Sequence, residues 1–288
     1  MIQAEYLAPK TLEALLRALE GRVGKAKFVA GCTNVIPELR ARVMSPNFLV
    51  DLQGLEGMGG IVEEEAFISV GALTTMSELA ASETIRKWAP ALASAARLMG
   101  NPLVRNRATL GGNLADASPA ADSAPPLLAL EAVIHTVQRE GAKRKIPVDR
   151  FFEGPHRTAL GGEELLTGVS FPKPKDPSKS AYIKLGLRNA SAISVVSIAL
   201  LLHLEGSLCS KARVALGSVA PTPMRAYGVE KTLEGKEVDD KILETCAALI
   251  QQEISPISDI RASAEYRRWT ASVLFQRAIR AAMEGGGA

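Results

Sequence analysis

Cysteine and histidine are both scarce, with three of each in 288 residues. Cys32, Cys209 and Cys246 stand far apart and form no C-x-x-C pair. That argues against a self-contained iron–sulfur cluster or a structural zinc site, which normally need about four close-set ligands. It also leaves no disulfide framework. His135, His156 and His203 are too widely spaced to share one helix face, so a metal site has no local basis. Any redox chemistry must then run on an organic cofactor.

A strong charge of one sign is also lacking, the formal net charge being +3. Basic residues fall in short clusters such as Lys143-Arg144-Lys145, with no interleaved aromatics. Such clusters read as solvated turn residues and give no basis for nucleic-acid binding. No basic-then-apolar leader pattern opens the chain. The longest apolar stretch, Ala192 to Leu204, is interrupted by Ser194, Ser197 and His203 and falls short of the ~20 residues a spanning helix needs. With 47% hydrophobic and 23% charged residues, the composition is that of a globular protein long enough for two modest domains. Its default location is the cytoplasm.

Against these absences stand many local structure signals. Thr11 to Glu20 reads as a helix, with Leu12, Leu15, Leu16 and Leu19 on one face and Thr11 as N-cap. Lys27 to Ala30 reads as a short strand, Gly31-Cys32-Thr33-Asn34 as a turn opening a helix to about Val43, and Phe48 to Asp51 as another strand. Ala66 to Gly71 is predicted as a strand, and Thr74 begins a helix with Glu78 placed to cap its first turn. Pro90 to Met99 reads as a helix, and Val133 to Phe171 as strands and turns. The prolines at 172, 174 and 177 can continue neither a helix nor a ladder, which predicts a linker and a domain boundary near residue 174. Beyond it, Tyr182 to Leu187, Ile193 to Leu204 and Arg213 to Ala220 read as strands, the second with period-2 apolar alternation. Helices are predicted at Tyr227–Leu233, Asp239–Ile254 and Ala264–Met283, and the Gly285–Gly287 tail reads as disordered. Strands followed by helices point to an α+β fold.

Two segments carry candidate chemistry. Lys27-Phe28-Val29-Ala30-Gly31-Cys32-Thr33-Asn34-Val35 runs a strand into a glycine-containing turn at the start of a helix. Such a turn lines up backbone N–H groups for an anion such as a pyrophosphate, and Thr33 and Asn34 add side-chain donors. The same residues also read as a plain strand–turn–helix with Thr33 or Asn34 as N-cap. The second segment, Arg107 to Ser123, is denser: Ala108, Thr109, Gly111, Gly112, Asn113, Asp116, Ser118, Asp122 and Ser123 are all small or hydrogen-bonding. It matches neither a Rossmann G-x-G-x-x-G nor a Walker loop. Its polar side chains would be costly to bury without partners, which favours a ligand-binding loop over a merely packed one.

Thr109-Leu110-Gly111-Gly112-Asn113, followed by Ala117-Ser118-Pro119-Ala120-Ala121-Asp122-Ser123, resembles the flavin-binding loop of the FAD subunit of molybdenum hydroxylases. This is the medium subunit of the carbon monoxide dehydrogenase type and the matching domain of xanthine dehydrogenase. Ala30-Gly31-Cys32-Thr33 is similar to the family's first phosphate loop. Val214 to Arg225 and Tyr266-Arg267-Arg268 resemble landmarks of its C-terminal domain, so the likeness spans nearly the whole chain.

The resemblance implies a PCMH-type FAD-binding domain over 1–174, in lobes of about 1–55 and 56–174, then a smaller α/β C-terminal domain over 175–284. It implies FAD extended between the lobes. Lys27 to Val35 and Ala108 to Asn113 would hold the pyrophosphate and ribityl, with Asp116, Ser118 and Asp122 nearby. Leu166 and Lys184 would lie near the flavin from the far side, although Lys184 also reads as a plain strand-edge lysine. Neither a catalytic acid or base nor a metal is implied in this chain. The implied partners are a molybdenum-cofactor large subunit that hydroxylates the substrate and a two-cluster [2Fe-2S] small subunit that passes electrons to FAD, in a dimer of heterotrimers.

Two positions depart from the family pattern: Cys32 stands where many bacterial members have a second glycine, and Asn34 where an acidic residue or serine is commoner. Cys32 has a reactive-thiolate reading, because a helix N-terminus lowers thiol pKa, beside a passive packing one. The cysteine-rich loop of relatives that reduce benzoyl-type thioesters is missing. Two rival readings remain. One is a stand-alone reductase on the same domain type, such as an enolpyruvyl-sugar reductase, whose substrate-binding residues have no local signature here. The other is a flavin-free assembly subunit.

Overall fold

The computed structural model describes residues 4–20, 25–138, 140–162, 164–174 and 178–284. Strands β1 (Glu5–Leu7), β2 (Ala26–Val29) and β3 (Phe48–Asp51) alternate with helices α1 (Leu12–Leu19) and α2 (Val35–Arg40). All three strands are parallel, in the order β1-β3-β2. Parallel neighbours need a crossover, which the two helices supply. α1 starts where Thr11 accepts the Ala14 N–H, and Leu15 turns into the core. α2 stops short of the expected Val43, because Arg42 takes a left-handed φ of 56° that leaves the helical path.

Strands β4 (Ile61–Glu63) and β5 (Phe67–Gly71) open a second sheet. Six short helices follow: α3 (Met76–Ala81), α4 (Glu83–Trp88), α5 (Pro90–Leu98), α6 (Pro102–Arg105), α7 (Leu110–Asp116) and α8 (Ala124–Ala129). The chain then adds β6 (Val133–Gln138), β7 (Lys143–Pro147), the hairpin β8 (Phe152–Gly154) and β9 (Arg157–Thr158), and β10 (Glu164–Pro172). The sheet is antiparallel throughout, ordered β4-β5-β10-β6-β7. Thr75 and Glu78 form a complete capping box at the start of α3, one residue later than expected. The dense segment after Arg107 is a loop only in part, since α7 occupies its first half. Lys143-Arg144-Lys145 is likewise no solvated turn: it lies in β7, where Arg144 pairs with the buried Glu164 at 2.6 Å.

The remainder is one sheet between two helical layers. β11 (Ser178–Gly186), β12 (Ser194–Glu205), β13 (Leu208–Gly217) and β14 (Met224–Arg225) are consecutive neighbours. They are followed by α9 (Tyr227–Leu233), β15 (Lys236–Glu237), α10 (Asp240–Glu253) and α11 (Ala264–Met283). α9 packs on β13 and α11 on β11 and β12, while α5 and α8 reach over from the preceding part to touch β11, β12 and β13. β12 is therefore buried on both faces from Ser194 to Leu202, and the expected period-2 alternation is replaced by a nearly continuous apolar run. Of the proline-rich stretch, Pro172 ends β10, whereas residues 175–177 lie outside the described residues, as does the Gly285–Gly287 tail. Among the described residues no helix is long and apolar enough to cross a membrane.

The Tyr266-Arg267-Arg268 landmark has a structural cause. Arg267 is buried and donates to the Val195 and Ser218 carbonyls and, at 2.8 Å, to Asp259. Burial opposes ionisation of Asp259, but the Arg261 and Ala262 amides and both guanidinium groups outweigh it and hold its pKa well below the usual carboxylate range. A carboxylate depressed in the fold stabilises above its unfolded pKa and loses that contribution as pH falls. Arg267→Met is expected to cost about 3–5 kcal/mol, the range for breaking a buried pair, read as a fall in the denaturant midpoint. In Asp259→Asn, the loss of stability on acidification below about pH 4, the unfolded aspartate range, should be shallower than in the parent.

Candidate functional site

Residues 30–34 leave the carboxyl end of the parallel sheet at β2 and lead into α2, the edge where α/β sheets bind ligands. Among the described residues no acceptor takes the amide N–H groups of Gly31, Cys32, Thr33 or Asn34. Cys32 has a left-handed φ of 60°, and a left-handed residue beside right-handed ones makes successive N–H groups converge on an anion.

Gly31 packs directly on the second segment. A Cβ at Gly31 would lie 1.9 Å from the Arg107 carbonyl oxygen and 3.0 Å from the Ala108 Cα, so only glycine permits the crossing. Farther along, Asn34 Nδ2 donates to Asp116 Oδ2 at 3.0 Å, tying the two segments a second time. The Asn34 side chain makes no cap bond to α2, so the plain N-cap reading fails for it. The commoner acidic residue at this position would face the Asp116 carboxylate and repel it.

The second segment contributes side chains rather than amides. Thr109 caps α7 by accepting the Gly112 N–H at 3.1 Å, and Leu110 and Gly111 donate to the Thr74 and Ala72 carbonyls. The Asn113 Oδ1 accepts from the amide and hydroxyl of Ser123, which turns its Nδ2 away from them. At the far end of α7, Ala117 is left-handed, with φ 48°, and His156 bonds the Asp116 and Ala117 carbonyls. These contacts fix the helix against its neighbours at both ends.

A groove results. Lys27, Phe28, Val29, Ala30, Gly31, Cys32, Thr33, Asn34 and Val35 line it together with Met99, Ala108, Thr109, Gly112, Asn113, Ala115 and Asp116. A second pocket shares Phe28, Val29, Ala30, Thr109, Gly112 and Ala115 with it and is lined also by Gly111, Leu160, Glu164, Leu165 and Leu166. Ser118, Asp122 and Lys184 are not in this lining. Ser118 accepts the Ala120 N–H. Asp122 is buried and accepts from Tyr182 at 2.8 Å, Ser194 at 2.6 Å and Lys184 at 2.6 Å. Lys184 lies on the edge strand β11, yet its side chain is only 7% exposed, which removes the plain strand-edge reading. Its ammonium also lies 3.5 Å from the carbonyl of Leu98, the neighbour of groove-lining Met99. Burial, then the Asp122 charge, pushes the Tyr182 hydroxyl well above its ordinary pKa.

The model of the FAD binding domain in molybdopterin dehydrogenase matches residues 2–174. The chain belongs to this family of FAD-binding subunits. The CO dehydrogenase flavoprotein C-terminal domain matches residues 181–282. The glyceraldehyde dehydrogenase medium chain of Sulfolobus acidocaldarius is 32% identical over 275 residues, 96% of either chain. The carbon monoxide dehydrogenase medium chain of Hydrogenophaga pseudoflava is 32% identical over 280 residues, again 96% of each. Among solved structures, a chain of CO dehydrogenase from Oligotropha carboxidovorans superposes with a TM-score of 0.93 at 30% identity, covering 98% of both.

FAD is thus the cofactor of this oxidoreductase subunit, and the flavin-free reading is set aside. The groove's chemistry fits it: a row of amide donors suits a diphosphate, and the small residues Gly111, Gly112 and Ala115 let a flat ligand lie close to the backbone.

Within the FAD-binding subunit, the reactive-thiolate reading of Cys32 does not hold. Burial raises its pKa, the Asp51 carboxylate raises it further, and only Arg107 opposes them. Sequence reasoning missed Met99, Ala115, Leu160 and Glu164, which reach the groove from other elements and carry no local motif. Glu164 stays ionised at the groove wall. Burial opposes this, but the Gly161 amide, Thr136 and Arg144 outweigh it and lower its pKa.

Gly31→Ala should destabilise the fold by about 1–3 kcal/mol, the cost of overpacking a close contact, seen as a lowered thermal midpoint. Iodoacetamide should label Cys32 before Cys209 and Cys246, whose buried thiols are pushed up to about 11. The pH–rate profile for Cys32 should have its midpoint above that of a free thiol. Faster labelling than a free thiol at neutral pH would contradict this electrostatic account.

Proposed function

We propose that the chain is the electron-relay subunit of a molybdenum hydroxylase, with FAD extended along the groove and its pyrophosphate on the amides of Gly31 to Asn34. The observation that carries this reading is the row of backbone donors without acceptors in a groove shared with Thr109 and Asn113. In this reading Lys27 to Val35 and Ala108, Thr109, Gly111, Gly112 and Asn113 hold pyrophosphate and ribityl. Asp116 fixes Asn34, Ser118 and Asp122 support the turn behind α7, and Leu166 and Lys184 bound the flavin from the far side. The FAD-binding domain spans 1–174, in lobes of about 1–55 and 56–174, and the C-terminal domain spans 175–284.

FAD supplies a centre that exchanges electrons singly or in pairs, while the protein supplies position, potential and access. No residue of this chain need act as general acid or base. The loop amides neutralise the diphosphate. The buried Asp122–Lys184 pair fixes a charge behind the groove, and Leu160, Leu165 and Leu166 keep water from one wall. In this reading electrons from a substrate oxidised on a molybdenum-cofactor large subunit would pass through a [2Fe-2S] small subunit to the FAD held by this chain, and from there to an external acceptor. The complex is a cytoplasmic dimer of heterotrimers. Full-length similarity to medium chains favours this over a stand-alone reductase.

The purified chain should be yellow, and Gly31→Ala should bind FAD at least about tenfold more weakly, an energy of roughly 1.4 kcal/mol. Mixed anaerobically with its iron–sulfur subunit, previously reduced by dithionite and desalted, the FAD-loaded chain should bleach; mixed with the oxidised subunit it should not. Oxidation of NADPH with a small substrate by the isolated chain would favour the stand-alone reductase. A chain that saturating FAD neither colours nor protects against heat would overturn the reading.

A further inference from the structure

The basic triplet 143–145 borders a cavity of about 350 Å³, a size that accommodates a small ligand. One wall is Leu12 of α1 with residues 55–58, which follow β3; the other is formed mainly by β6 and β7. Apart from Met58, none of its lining residues lines the groove or the pocket beside Leu165 and Leu166.

Polarity is segregated inside this cavity. Leu55, Met58 and Val137 are buried apolar residues of the lining, and the exposed Leu12 extends the same apolar surface. On β6 and β7, Val137 stands opposite Lys143 and His135 opposite Lys145. Opposed residues of an antiparallel pair share one face, so both lysines stand on the face that carries Val137. Lysines two positions apart on a strand are separated by roughly 6.6 Å, a gap that one carboxylate between two flexible ammonium groups can bridge.

The other polar groups decide the charge. Among the described residues neither Lys143 nor Lys145 forms an ion pair or a side-chain hydrogen bond. Arg144 is spent, because its guanidinium bonds Glu164 and the Ala159 carbonyl. His135 lies 2.7 Å from the Ser170 hydroxyl. Burial, then the Lys145 charge, lowers its pKa from an ordinary value of about 6.5, so its ring is neutral at pH 7. Glu56 also lines the cavity. Two ammonium groups and one carboxylate leave a single net positive charge, which favours a monoanion over a dianion such as a phosphate ester.

We propose that this cavity is a second ligand site, separate from the flavin groove, for a monocarboxylate with an aromatic or similarly apolar body. The ring lies against Leu12, Leu55, Met58 and Val137, and the carboxylate sits between Lys143 and Lys145. The inference stands apart from the electron-relay reading, since it uses no groove residue but Met58.

The probe is 2-naphthoate, titrated calorimetrically into the full-length chain in saturating FAD. One molecule should bind per chain. The neutral 2-naphthalenemethanol and the dianion naphthalene-2,6-dicarboxylate should each bind at least about tenfold more weakly, a difference of roughly 1.4 kcal/mol. The double variant Lys143→Gln/Lys145→Gln should lose at least about tenfold in 2-naphthoate affinity. Leu12→Glu should lose as much, and it keeps the fold because an acidic residue suits the first turn of α1. Both should retain the parent's FAD content, and 2-naphthoate should raise the thermal midpoint of the parent more than theirs. Lys173→Gln, which removes a lysine paired elsewhere with Glu63, should bind the probe as the parent does. The assignment is overturned if the parent takes up no probe at millimolar concentration, if FAD displaces it, or if the neutral analogue binds equally well. It is also overturned if both cavity variants bind like the parent, or if Lys173→Gln weakens binding as much as they do.

Discussion

The crossing of Gly31 over the Arg107 carbonyl is the contact around which the FAD-binding part is organised. It presses the loop after β2 against the segment that becomes α7, with no room for even one carbon between them. Once that approach is fixed, Asn34 reaches Asp116, Thr109 stands across from the free amides, and the groove between them takes its shape. Backbone bonds hold the far side: Met76 donates to Ala108, Leu110 to Thr74 and Gly111 to Ala72. A site built this way is preorganised, because its donors are placed by main-chain contacts rather than by rotamers. Its cost is local strain at the left-handed Cys32 and Ala117, a conformation that side chains disfavour by about 1–2 kcal/mol each.

The C-terminal part is held to this framework by polar contacts as much as by apolar ones. Asp122 with Tyr182, Lys184 and Ser194 forms one buried junction. Nearer the surface, the exposed Glu131 pairs with Arg213 at 2.8 Å and Arg225 at 3.0 Å. Arg225 also pairs with the buried Glu230, which gives the Val214–Arg225 landmark its structural meaning. Buried charges are weak stabilisers but strict ones, since removing either partner leaves an uncompensated ion. The Asp122 junction ties β11, through Tyr182 and Lys184, and β12, through Ser194, to the segment after α7.

The chemistry follows from what these side chains do not do. The carboxylates near the groove are committed: Glu164 to Arg144, Asp116 to Asn34, and Asp122 to Lys184. A subunit that binds and insulates a redox cofactor needs such fixed charges, and it has no use for a mobile proton donor.

Sequence alone determined the family, the two segments that line the groove and the long elements. Thr109-Leu110-Gly111-Gly112-Asn113 is a local pattern, and helices such as 227–233 and 264–283 follow local periodicity and capping. Tertiary structure decided which groups were left to act. The amides after Gly31 are free while those of α7 are spent, a difference that depends on where Thr74 and Ala72 lie. Lys184 is buried because Asp122, 62 residues away, meets it across two domains, and β12 lost its alternation because helices from both parts cover it. Pairing at such separation is written in no local stretch; it exists only once packing brings the partners within hydrogen-bond reach.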